Sequence, residues 1–316
     1  MRVGLALGAG GVVGAAWMVG ALDALERRGG LAVAEASELL GTSVGSLLAA
    51  MLAADVPTAA MAAYANGEQG NALAALGDQD ATALRLTRMP FPLRPGSLRM
   101  ALAGRSRTKV LTGLLPRGVL SNAPLGELVE RAVGPTWPTS RSLTLVACDY
   151  SSGERVALGP GLEPACTPAQ AVCASCAIPG FYEPVAIGAH LFIDGGVHSH
   201  SNLDVLAGRG LGAVIALNPL SSAAWVAGGG GLRERLAGIQ RRRSATALRA
   251  EVELLRAEGT QVLVLEPAFA DLAAMGHNPM ARDRGAEVIE AGRASTERAL
   301  RRLGRKRARA LGLSPG

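Results

Sequence analysis

Gly41-Thr42-Ser43-Val44-Gly45 is the group of residues in this chain best suited to chemistry. The pentapeptide G-x-S-x-G follows the apolar pair Leu39 and Leu40 and precedes a helical pattern from Ser46 to Ala54. That context predicts a nucleophile elbow, a sharp strand-to-helix turn that pushes the Ser43 hydroxyl out of the backbone. Gly41, Val44 and Gly45 complete the elbow, the glycines because side chains would crowd so tight a turn. The helix that follows aims its positive end at Ser43, where negative charge develops in acyl transfer.

Two further segments supply what such a serine needs. Gly8-Ala9-Gly10-Gly11-Val12-Val13-Gly14 follows the apolar run Val3 to Leu7 and precedes a helical segment from Ala15 to Leu25. A glycine-rich turn of this kind exposes backbone N–H groups, which suit an oxyanion. Asp194-Gly195-Gly196 follows the apolar run Leu191 to Ile193, so its carboxylate falls at a strand end. Open α/β sheets place their sites there. A carboxylate at that point either takes the serine's proton or orients a base that does.

These three elements in this order resemble the patatin-like phospholipase family. Leu143 to Glu154 (LTLVACDYSSGE) is similar to the family's strand and turn ahead of the middle of the domain. Ala174-Ser175-Cys176-Ala177-Ile178-Pro179-Gly180-Phe181 resembles its A-S-x-A-x-P-x-x-F segment, and Gly212 to Ala216 its strand after the D-G-G turn. The resemblance covers roughly residues 1 to 218. It implies that Ser43 is the nucleophile, that Asp194 is its base in a two-residue dyad, and that Gly8, Gly10 and Gly11 form the oxyanion hole. It implies a carboxylic ester hydrolase of phospholipase A, lysophospholipase or esterase type, with a lipid or acyl ester as substrate. The chain departs from the family at Val13, where a basic residue is usual, at Ala9, and at His198-Ser199-His200-Ser201-Asn202 after the D-G-G turn.

Other chemistries compete. His198 and His200 stand close to Asp194 in sequence, and His198 is a candidate auxiliary in a Ser-His-Asp arrangement. The direct Ser-Asp dyad is the preferred reading. An acyltransferase would use the same acyl-enzyme, and an inactive lipid-binding scaffold would keep only the pocket. A dinucleotide fold is disfavoured, because G-x-G-x-x-G counted from Gly8 needs a glycine where Val13 stands. Cys173 and Cys176 form a lone C-x-x-C with no matching pair, and His198 and His200 lack further ligands. No metal and no cofactor is therefore expected, and Cys148, Cys166, Cys173 and Cys176 read as buried thiols.

At 316 residues and 49% apolar composition the chain can bury a large core built from Ala, Leu and Val, since aromatics make up only 3%. Strand candidates are Val3 to Leu7, Glu38 to Leu40, Leu143 to Cys148, Val156 to Leu158, Leu191 to Ile193, Ala213 to Leu217 and Val262 to Leu265. Helical patterns lie between most of them, which predicts an α/β fold with a mostly parallel central sheet sandwiched between helices in three layers. The expected organisation is one domain over residues 1–316. Within it a basic insertion or cap occupies 81–126, and a helical extension with one further strand occupies 226–316. Val3 to Leu22 carries neither Lys nor Arg, and no acidic residue, yet its six glycines favour a buried strand and helix over a membrane span or signal peptide. The expected location is cytoplasmic, with peripheral contact to a membrane.

Residues 81–126 contain no Asp or Glu but carry Arg85, Arg88, Arg94, Arg99, Arg105, Arg107, Lys109 and Arg117, interrupted by Met89-Pro90-Phe91-Pro92-Leu93. Two readings stand side by side: a cap that meets anionic headgroups, and a solvated insertion paired with carboxylates elsewhere. Gly228 to Gly231 marks a flexible loop or linker, followed by a basic helix with Arg233, Arg235 and Arg241 to Arg243, and Arg301 to Arg309 is basic again. These segments suit an anionic membrane surface. Nucleic acid is not an expected partner, because interleaved aromatics are missing. Oligomeric state is not readable.

Overall fold

The computed structural model describes residues 1–30, 33–66, 85–86, 94–104, 106–222 and 232–314. The loop Gly228 to Gly231, the segment Met89 to Leu93 and the residues Arg88 and Arg105 lie outside the described residues, as do the side chains of Arg85, Arg233 and Arg235.

The chain opens with β1 (Val3–Leu7) and α1 (Gly11–Gly29), then β2 (Glu38–Thr42), α2 (Val44–Ala53) and α3 (Thr58–Ala65). β3 (Arg85–Leu86), α4 (Leu98–Ala103), α5 (Arg107–Leu114), β4 (Leu120–Ser121) and α6 (Ala123–Ala132) follow. Next come β5 (Ser142–Asp149), β6 (Arg155–Leu158), α7 (Pro168–Ser175), β7 (Val185–Ile187) and β8 (His190–Asp194). β9 (Ala213–Leu217), α8 (Leu232–Ala257), β10 (Gln261–Leu265), α9 (Phe269–Met275), α10 (Gly285–Arg302) and α11 (Arg305–Ala310) close the described chain.

The central sheet runs β10-β9-β1-β2-β5-β8-β7, with β6 beside β5. From β10 to β5 the pairings are parallel, and those of β6, β7 and β8 are antiparallel. The parallel strands β1, β2 and β9 are buried along their whole length. Continuous apolar runs of this kind belong to strands covered on both faces. Alternate residues sort accordingly. Leu5, Leu7, Leu39, Leu145, Ile215 and Leu263 pack with α1, α2 and α10. Ala6, Leu40, Val146, Val214, Ala216 and Val262 pack with Leu248, Val252 and Leu255 of α8. The expected three-layer α/β sandwich is therefore the observed architecture.

Helix α1 ends at Gly30, whose φ of 57° is the left-handed cap and whose N–H donates to Leu25 O. Its packing against α10 is close. A Cβ on Gly20 would lie 1.9 Å from Ile289 O, and one on Gly292 would lie 2.3 Å from Trp17 O. Two backbones meet where any side chain would hold them apart. The described residues from Leu232 onward are thus built into the sandwich. β10 is its edge strand, α8 covers one face, and α10 lies on α1 on the other. Gly8 to Gly10 turn the apolar N-terminal run out of a strand and into a helix. Among the described residues no helix is long and apolar enough to cross a membrane.

Candidate active site

Strand register brings the three segments together. Leu7, Gly41 and Leu217 are aligned across the parallel strands, so the turns after β1, β2 and β9 emerge at one edge. β5 pairs Val146 with Thr42, the residue before Ser43. β8 enters antiparallel from beyond the end of β5 and stops with Asp194 opposite Ala147. A carboxylate from the antiparallel half of the sheet thereby reaches a serine from the parallel half.

Ser43 is the cap between β2 and α2, with φ 55° and ψ −130°. A non-glycine residue there is strained and persists only when its surroundings hold it. The holding groups are visible. The Ser43 N–H donates to Ser175 Oγ at 2.9 Å, and Ser175 Oγ donates to Val146 O at 2.6 Å. Ser43 O accepts from Ser46 N at 2.8 Å and from Ser46 Oγ at 2.6 Å. The elbow glycines allow the approach. A Cβ on Gly41 would lie 2.5 Å from Ser46 Cα, and one on Gly45 would lie 2.0 Å from Leu7 O.

Ser43 Oγ donates to Asp194 Oδ2 at 2.6 Å, both residues being 5% exposed. Asp194 Oδ1 accepts from Gly196 N at 2.7 Å. Burial raises the Asp194 pKa to about 6, against the opposing effect of the Ser43 and Gly196 hydrogen bonds. A carboxylate of that basicity, in direct contact with a hydroxyl, can accept its proton.

The glycine loop differs from expectation in detail. Gly8 N–H donates to Leu217 O at 2.9 Å and Ala9 N–H to His200 O at 2.8 Å, so Gly8 closes the turn and has no N–H left for an oxyanion. The N–H groups of Gly10, Gly11 and Val12 have no acceptor among the described residues. They open the first turn of α1, where a helix has no internal partners for them. Gly11 and Val12 line the same cavity as Ser43. Gly10 lines a separate cavity with Arg241 and His277. Val12, part of the turn but not one of its expected donors, thus stands with Gly11 beside Ser43. Val13 is buried, its N–H donates to Pro279 O at 3.1 Å, and it borders the other cavity.

The histidines stand outside the Ser43–Asp194 contact. No imidazole lies between those atoms. His198 is exposed at the surface, and the atoms packed around part of its ring, with Arg155 and then Lys109, lower its pKa. His200 is pushed down to about 4 by burial and then by Arg241, and its carbonyl anchors Ala9. Ser43 Oγ meets Asp194 Oδ2 directly in this arrangement.

Two residues with no role expected from the sequence position the site, Ser175 within the A-S-x-A segment and Glu251 outside every motif. Ser175 carries the Ser43 backbone. Glu251, buried on α8, accepts from Ser199 Oγ at 2.5 Å, Ser201 Oγ at 2.6 Å and Leu203 N at 2.8 Å. It holds the loop that supplies the His200 carbonyl to Ala9. Glu251→Ala is expected to leave three buried donors without acceptor and to cost roughly 2–4 kcal/mol. Turnover should fall with it, whereas Glu251→Gln should recover much of both. Thermal melts beside ester assays would check this, and an Ala variant as stable and active as wild type would refute it.

The thiols are protonated. Burial pushes Cys148 and Cys173 up to about 12, and Cys176 well above its usual value.

The cavity beside Ser43 measures about 90 Å³ and is walled by Val12, Val44, Leu47, Leu125, Ile178 and Met280.

A family model described as patatin-like phospholipase matches residues 5–207. Among solved structures, VipD from Legionella pneumophila is similar at 14% identity and a TM-score of 0.45, over 95% of this chain and 67% of that one. The type III effector protein ExoU is similar at 15% identity and a TM-score of 0.41, over 97% of this chain and 53% of that one. The chain thus spans about half the length of the second. No curated protein is significantly similar to it in sequence.

Proposed function

Because this chain belongs to the patatin-like phospholipase family, we propose that it is a serine hydrolase that cleaves lipid acyl esters through an acyl-enzyme on Ser43. The observation that carries the proposal is the buried 2.6 Å contact between Ser43 Oγ and Asp194 Oδ2. In this reading Ser43 Oγ attacks the ester carbonyl while Asp194 takes its proton. The carbonyl oxygen becomes an oxyanion held by the N–H groups of Gly11 and Val12, with the positive end of α1 behind them. The intermediate collapses, the ester C–O bond breaks, and Asp194 returns the proton to the departing alcohol. A water activated by Asp194 then attacks the acyl-enzyme and frees the acid. The acyl chain lies against Leu47, Leu125, Ile178 and Met280. An alcohol or thiol arriving in place of water would make the same intermediate a transferase.

Fluorophosphonate labelling with peptide mass mapping tests the reading. Wild type is expected to be labelled at Ser43 alone and to turn over soluble and lipid esters. Ser43→Ala should lose both label and turnover while melting normally. A Ser43→Ala protein that still hydrolyses esters would overturn the assignment.

A further inference from the structure

Helices α4 and α5 form a hairpin whose inner side is ordinary. Met100 packs with Cys148, Tyr150 and Ile193, and Lys109 Nζ donates to Glu154 Oε1 at 2.9 Å. The helices cross closely, since a Cβ on Gly113 would lie 2.5 Å from Ala101 N. The outer side is not ordinary. Leu98, Leu102, Leu111, Leu114 and Leu115 are 65%, 80%, 64%, 61% and 44% exposed. Leu98 and Leu102 are four apart on α4, and Leu111 and Leu114 three apart on α5, so on each helix they share one face. These are helices with an apolar face turned to water. Elsewhere among the described residues large exposed apolar side chains are scattered singly, as is normal for a surface.

Charge is equally one-sided. Arg94, Arg99 and Arg107 are exposed beside the leucines, and residues 81–126 contain no carboxylate. Arg99 and Arg107 have no acidic partner among the described residues, whereas Arg94 approaches Glu183 at 3.9 Å. A leucine surface rimmed by arginines complements an anionic bilayer, with apolar groups at the acyl boundary and guanidinium groups at the phosphates.

The hairpin also leads straight to the cavity. Past Leu115 the chain packs at Gly118 against Tyr182, and Leu120 N–H donates to Phe181 O at 3.2 Å. Ser121, Asn122, Pro124 and Leu125 then wall the cavity beside Ser43, with Tyr182.

We propose that the α4–α5 hairpin is a membrane-docking element, which seats Leu98, Leu102, Leu111, Leu114 and Leu115 in the interface of a bilayer containing anionic phospholipid. The proposal rests on the lipid ester reading for its purpose, but its test does not. Ser43→Ala protein, which leaves lipid intact, is mixed with phosphatidylcholine vesicles with and without phosphatidylglycerol, and bound protein is measured by co-sedimentation. Binding is expected to require the anionic lipid and to weaken as salt rises. Adding Leu102→Ser, Leu111→Ser and Leu114→Ser should lower the partition coefficient roughly tenfold or more. Arg99→Gln with Arg107→Gln should remove most of the preference for anionic vesicles. The same leucine changes on the Ser43 background should leave turnover of a soluble short-chain ester unchanged. The idea is overturned if the leucine variant binds like its parent or if the parent ignores vesicles. It is also overturned if the leucines prove instead to drive self-association of the protein in solution. A dead soluble-ester assay with normal vesicle binding would fault the catalytic reading alone.

Discussion

Asp194→Asn is expected to lower ester turnover by roughly a thousandfold or more, and yet to give a protein more stable than wild type at neutral pH. The loss follows from removing the carboxylate that accepts from Ser43 Oγ. The gain follows from burial. The folded-state pKa of about 6 lies above the usual carboxylate value of 3.8, so the ionised form is disfavoured in the fold. A raised acid pKa contributes stability that is fully present below the unfolded value and lost as pH rises through the folded one. At pH 7 wild type therefore carries a cost of up to roughly 3 kcal/mol that asparagine avoids. The gap in stability should close as pH falls from 6 towards 4. Over the same range wild-type kcat/KM should fall, because protonated Asp194 cannot act as a base. Denaturant unfolding and kinetics across that range check both halves. A variant that is no more stable at pH 7 than wild type would mean that Asp194 is not held in a strained, ionised state.

Gly45→Ala is expected to cost roughly 3 kcal/mol or more and to take most of the activity with it. The added methyl would sit 2.0 Å from Leu7 O and 2.8 Å from Gly8 O. Those atoms belong to the end of β1 and the start of the glycine loop, and β1 is fixed between β2 and β9. The clash cannot be relieved by a side-chain rotation. Relief requires moving the loop that carries Gly11 and Val12 away from Ser43. Gly304→Ala is the control, since nothing lies within 4 Å of the position a Cβ would take there. It should melt within about 0.5 kcal/mol of wild type. Thermal unfolding of the two variants side by side separates the effect of the elbow from that of losing a glycine.

The residues that announce themselves in the sequence do so because their chemistry is written locally. A strand, a glycine turn and a helix in succession identify the segments around Gly11 and Ser43, and an apolar run ending in Asp194 identifies the third. What local pattern does not carry is the fate of each N–H. The acceptors that close the turn at Gly8 and Ala9 are carbonyls of Leu217 and His200, far along the chain. Ser175 and Glu251 are missed as positioning residues for the same reason, since each acts on a partner distant in sequence. β7 is missed because three residues after Pro184 are too few to show alternation. The run Val262 to Leu265 reads as one further strand of the same sheet, and its edge pairing with β9 is what the register shows. The segment 81–126 stands out in the sequence by its arginines, and that the leucines of α4 and α5 face water shows only in their exposure.

The pairing of β1 with β9 also dictates when this molecule becomes chemically competent. A chain emerging from the ribosome presents the glycine loop and Ser43 early. At that stage β1 has β2 but lacks its other neighbour, and the Leu217 and His200 carbonyls that shape the loop have not been made. Glu251, which steadies the His200 segment, arrives later still. Contacts so distant in sequence form late and slowly. Ser43, Asp194 and the turn at Gly11 and Val12 thus come into register only when residues beyond 250 have been translated.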